Sequence, residues 1–69
     1  MIEVKFNLKF PIGDKVKAFV LNHSEIELTV VGYSISVNNI VVIRYECQPC
    51  NIELQKYGNY TILEKDLYV

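Results

Sequence analysis

Ile2, Val4, Phe6, Leu8 and Phe10 are apolar, and Glu3, Lys5, Asn7 and Lys9 between them are polar. A period of two sends alternate side chains to opposite faces of an extended chain, so Ile2 to Phe10 is predicted to be a half-buried strand and not a helix. Pro11, Gly13 and Asp14 end it: proline fixes φ, glycine accepts positive φ, and aspartate supports turns. A second strand is expected from Lys15 to Leu21, and the polar run Asn22 to Glu25 reads as a hairpin loop. The longest segment is Ile26 to Val37. Ile26, Leu28 and Val30 share one phase, whereas Val31, Tyr33, Ile35 and Val37 share the other. The slip falls at Val30-Val31-Gly32, where one extra residue in a strand would make a β-bulge. Asn38-Asn39 signals a tight turn. A fourth strand follows, Ile40 to Cys47, with Val41, Ile43, Tyr45 and Cys47 in phase. Beyond Gln48-Pro49 comes a weaker segment, Ile52 to Tyr57, and then a turn at Gly58-Asn59. Tyr60 to Leu63 and Leu67 to Val69 close the chain, with Glu64-Lys65-Asp66 as a single helical turn between them.

No stretch has the period or length of an ordinary helix, and the apolar residues are mainly β-branched or aromatic, which suits pleated surfaces. Sixty-nine residues make one domain, 1–69, and are too few for a sandwich of two full sheets. The pattern therefore predicts an all-β fold: a small barrel of five to six short strands with a bulged central strand, in which closure removes exposed edges. A chain of this size buries only roughly 60% of its unfolded surface. Its hydrophobic fraction of 51% argues for a well-filled core and an apolar patch that a partner covers.

Charge is close to balanced, with seven Lys and Arg against eight Asp and Glu. A dedicated nucleic-acid binder usually carries a basic excess, because counterion release supplies much of its affinity. That excess is missing here. The N-terminus alternates charged and apolar residues, unlike a secretion signal, so the expected compartment is the cytoplasm.

Two stretches carry a resemblance: "FPIGDKV", Phe10 to Val16, and "LEKDLYV", Leu63 to Val69. With the bulged central strand between them, the chain resembles the small Src-homology-3-like barrels of bacteria and phages, including Tudor-like and KOW-like modules. The resemblance implies that the Gly-Asp turn feeds the first barrel strand and that a single helical turn precedes the last. It implies little about function, because the fold serves peptide binding, nucleic-acid binding and assembly alike. Src-homology-3 domains proper grip proline-rich peptides with a tryptophan, and this chain has none.

The cysteines stand as C-x-x-C in "YECQPCNIEL". Tetrahedral zinc needs four ligands, and the chain offers Cys47, Cys50 and a distant His23. A thioredoxin-like redox pair needs a helix N-terminus to lower one thiol's pKa; Asn51 could cap a short helix closed by Gly58, but the surrounding parallel sheet is missing. The simpler reading is a turn. Cys47 continues the Val41-Ile43-Tyr45 phase into the core as a small hydrophobe, and Cys50 sits partly exposed at the turn. No cofactor and no metal are expected.

His23 is a solvated loop histidine, Asp14 a turn former, and Glu64 and Asp66 caps of a helical turn. No residues form a nucleophile–base pair, so the chain is not read as an enzyme. Two functional classes fit. The first is a protein-interaction or assembly module, pairing with itself or another protein, with Ile2 to Phe10 as the candidate edge. The alternative is a weak nucleic-acid binder of the KOW or Tudor type. The candidate surface is Lys5, Lys9, Lys15, Lys17, Tyr33, Arg44 and Tyr57. No membrane association is expected.

Overall fold

The computed structural model describes residues 8–20 and 24–69. They form four strands: β1 (Lys15–Val20), β2 (Ser24–Val37), β3 (Val41–Pro49) and β4 (Tyr60–Leu63). A short helix, α1 (Ile52–Gln55), joins β3 to β4, and a 3₁₀ turn, Glu64–Asp66, follows β4. The strands lie in the order β1-β2-β3-β4, antiparallel throughout, in one open sheet. The expected single helical turn at Glu64-Lys65-Asp66 is present.

Among the described residues, the sheet does not close into a barrel through regular pairing. Where a fifth strand was expected at Leu67 to Val69, the tail makes one antiparallel bridge, Lys17 to Tyr68. The Lys17 N–H donates to the Tyr68 carbonyl at 2.7 Å, and the Tyr68 N–H returns the bond at 3.0 Å. Most of the expected first strand, Ile2 to Phe10, lies outside the described residues, and its described end, 8–10, is not in a strand. Of the expected loop Asn22 to Glu25, Asn22 and His23 also lie outside them. Ser24 and Glu25 belong to β2, where they pair with Val20 and Phe19.

The slip at Val30-Val31-Gly32 is a bulge: Val30 pairs with Cys47, and the next rung is Gly32 with Glu46. The bulge is pinned from the side by the turn before β1. The Gly13 N–H donates to the Val30 carbonyl at 2.8 Å, and the Val30 N–H donates to the Asp14 carbonyl at 2.9 Å. Asp14 N–H to Pro11 carbonyl closes the turn, with Gly13 at φ 99° in its third position, the pattern of a type II turn. The Gly-Asp pair therefore starts β1 and locks the kink in β2. Gly32 itself keeps an ordinary φ, and a Cβ there would lie 3.3 Å from Oε2 of the exposed Glu46 side chain, which can move aside.

β3 runs two residues beyond its expected end, through Gln48 and Pro49. Proline is tolerated there because it is the strand's last residue, opposite Leu28. The chain then turns into α1 and not into an extended segment. Asn51 Oδ1 accepts the Glu53 N–H at 2.8 Å, an N-cap. Gly58, at φ 92°, supplies the left-handed residue just past the last turn.

Val16, Ala18, Leu28, Val30, Tyr45 and Cys47 cover one face of the sheet, and Phe10 and Leu67 complete the buried cluster. Leu8, Val20, Ile26, Ile43, Tyr60 and Ile62 pack against it. Tyr45 is the one polar group at its centre. Its hydroxyl accepts from the Lys9 N–H at 3.1 Å and the Phe10 N–H at 3.4 Å, and donates to Glu64 Oε2 at 2.6 Å. The Phe10 ring meets the Tyr45 ring edge-on, at 5.6 Å between centroids. One side chain of β3 thus ties the segment before β1 to the 3₁₀ turn.

Candidate protein-interaction surface

Directly opposed residues of an antiparallel pair point to the same face. Beyond the bulge, Tyr33 stands opposite Tyr45, Ile35 opposite Ile43, and Val37 opposite Val41. The apolar row of the core therefore continues along the β2–β3 hairpin. Its cover does not continue with it. β1 stops pairing with β2 at Thr29, and β4 stops pairing with β3 at Arg44. Among the described residues, the far half of the hairpin is a two-stranded ribbon with an open apolar face. Tyr33 is 48% exposed, Val41 50% and Val37 61%, and Ile40 at the tip reaches 70%. Ile35 and Ile43 are half-buried, which makes this surface continuous with the core.

The ribbon's other face carries Ser34, Ser36 and Arg44, and the Arg44 guanidinium donates to Ser36 Oγ at 3.4 Å. Residues 28–43 contain no charged side chain at all.

The seven residues singled out from the sequence do not converge on one surface. Lys5 lies outside the described residues. Lys9 is exposed, with its Nζ 5.4 Å from the Phe10 ring centroid. Lys15 and Lys17 share the outer face of β1, where Lys17 stands directly opposite Glu27. Arg44 lies on the outer face of β3, two residues from the exposed Glu46 and opposite Leu63 of β4. Tyr33 is on the inner, apolar face. Tyr57 lies past α1, exposed, with Lys56 Nζ 5.2 Å from its ring centroid. Of the six that are described, only Tyr33 lies on the ribbon's apolar face. Sequence reading missed Val37 and Val41 because their strand phase marks them as core. The signal that finds them is the sixteen-residue run without a charge, 28–43, longer than a core this small can cover.

Cys47 is fully buried on β3, and Cys50 is exposed at the turn, its Sγ 3.5 Å from Thr29 Oγ1. These are the places the turn reading gives them. Burial pushes the Cys47 thiol up to about 11, and the neighbouring Glu46 carboxylate adds to the shift. Burial also raises the Tyr45 phenol above its usual value, with Glu64 adding to the shift and the two backbone donors opposing it. At the bridge to β1, the Tyr68 hydroxyl donates to Glu25 Oε2, and desolvation together with that carboxylate raises the phenol to about 12.

Compared with family models, curated proteins and solved structures, the chain matches none.

Proposed function

We propose that this chain is a non-enzymatic protein-interaction or assembly module, and that it docks through the inner face and free edge of the β2–β3 ribbon. The observation that carries this reading is the apolar row Tyr33, Ile35, Val37 and Val41, which leaves the covered core and remains open to solvent. An exposed apolar patch continuous with a core loses free energy to water unless something covers it. In fold terms the chain reads as a small, incompletely closed Src-homology-3-like barrel. The Gly-Asp turn before β1, the bulged β2, the 3₁₀ turn and the Tyr68 bridge support that reading.

The nucleic-acid alternative has weaker support. Lys15 and Lys17 share their face with Glu25 and Glu27, so no basic stripe forms for a phosphate backbone to follow.

A photo-crosslinking side chain placed at Val37, in the cells that make the protein, tests the reading. Discrete adducts are expected at Val37 and none from the same group at Asn59. An absence of adducts of any mass at Val37 would sink it.

A further inference from the structure

We propose that the partner on this surface is a second copy of the chain, joined by antiparallel pairing of the free β2 edge, residues 32–36, about a two-fold axis at Ser34. The proposal rests on the assembly reading above and names its partner.

Among the described residues, no strand pairs with β2 on its outer side beyond Thr29, and Val30 is held there by Gly13 and Asp14. From Gly32 to the end of the strand, every second residue turns its N–H and C=O away from β3 with nothing in the described sheet to receive them. Natural edges are guarded by lysines, prolines or inward charges. This edge reads Val-Gly-Tyr-Ser-Ile-Ser-Val and has no such guard. The free edge of β3 is less suited. It is only three residues, 41–43, before β4 begins, and Glu64 and Lys65 border the same groove.

The sequence of the edge also fits its own reverse. Turned about Ser34, Val31 meets Val37, Gly32 meets Ser36, Tyr33 meets Ile35, and Ser34 meets itself. Large apolar residues stand opposite large apolar residues, and small residues opposite small residues. Opposed residues share a face, so Tyr33 would sit beside Ile35 of the partner subunit on the inner side. Two half-covered ribbons would become the centre of one continuous sheet. A two-fold axis makes the contact self-complementary and closed, so pairing stops at two chains. Moving the axis to a neighbouring position leaves one end of the run 31–37 unmatched.

The register is directly testable, because directly opposed residues of an antiparallel pair have Cα atoms about 4.5–5.5 Å apart. That is within disulfide reach. Ser34→Cys, in a Cys50→Ser background, should oxidise to a covalent dimer. Ser36→Cys in the same background should not, because its two copies would be offset by four residues, roughly 13 Å along the strand. Native mass spectrometry of the unaltered chain should show a dimer that grows with concentration and is indifferent to salt. Ser34→Lys should be monomeric with an unchanged circular dichroism spectrum.

Three results would overturn the proposal. One is a strict monomer at millimolar concentration, including a monomer whose 32–36 amides are protected from exchange because the chain fills its own edge. Another is equal cross-linking by both cysteine variants. The third is open-ended fibres in place of a discrete dimer. If the chain is monomeric but Val37 still cross-links to other proteins, self-pairing falls and the assembly reading survives. If Val37 cross-links to nothing, both fall.

Discussion

Among the described residues, Tyr45 takes part in more side-chain hydrogen bonds than any other. A buried hydroxyl is costly unless it is bonded, and this one accepts two backbone N–H groups and donates to Glu64. Tyr45→Phe keeps the ring and its contact with Phe10 but removes all three bonds. It is expected to destabilise the fold by about 1–3 kcal/mol, read as a lower urea midpoint with an unchanged slope. Glycines make a second contrast at this scale. Gly13 has φ 99°, a conformation other residues adopt with strain, so Gly13→Ala should cost about 1 kcal/mol. Gly32 has no such constraint, and the group a new Cβ would meet is the far end of the exposed, flexible Glu46 side chain. Gly32→Ala should therefore change stability by less than about 0.5 kcal/mol in urea titration, although Gly32 sits at the bulge.

Among the elements, the C-terminal tail is short yet holds the sheet at two points. Leu67 is buried in the core cluster, and the next residue bridges to β1. Leu67→Ala removes a fully enclosed side chain and should cost about 2–4 kcal/mol. In a domain this small, that is a large share of the total. The expected outcome is a far lower thermal midpoint, with loss of protection at the Lys17 and Tyr68 amides in hydrogen exchange. Unchanged protection at both amides would show that the bridge forms without its anchor. The ribbon half of the β2–β3 hairpin has the opposite character, with backbone order but little cover of its own.

For the whole molecule, two buried acids set the alkaline limit. The Cys47 thiol rises from an ordinary 9.0 to about 11, and the Tyr45 phenol is also raised. Both are neutral when protonated, and the folded state binds their protons more tightly than the unfolded chain. Their contribution is fully present below the unfolded values and is lost as pH rises through the folded ones. The urea midpoint should be flat from pH 6 to 8 and fall above about pH 9. Cys47→Ala should delay the onset of the fall to about pH 10, the ordinary tyrosine range of the unfolded chain. An onset that does not move would mean that the thiol plays no part in it.

Alternation, turn residues and the phase slip carry information within a few residues of themselves, and those parts of the structure were legible in the chain alone. β1, the bulge at Val30/Gly32, the inward Tyr45 and Cys47, β4 and the 3₁₀ turn all follow from strand period and local sterics. The segment 52–55 was harder, because the Asn51 cap and the Gly58 stop compete with a weak strand pattern over too few residues to decide by period. What tertiary structure alone decided is where the core ends. Val37, Val41 and Tyr33 have the same phase and chemistry as buried residues, and phase says which face a side chain is on, not whether anything lies over that face. Cover depends on how far β1 and β4 extend along their neighbours, a matter of register between distant segments. The same register leaves the tail one bridge in place of a ladder, and so leaves the sheet open where the strand count suggested a closed barrel.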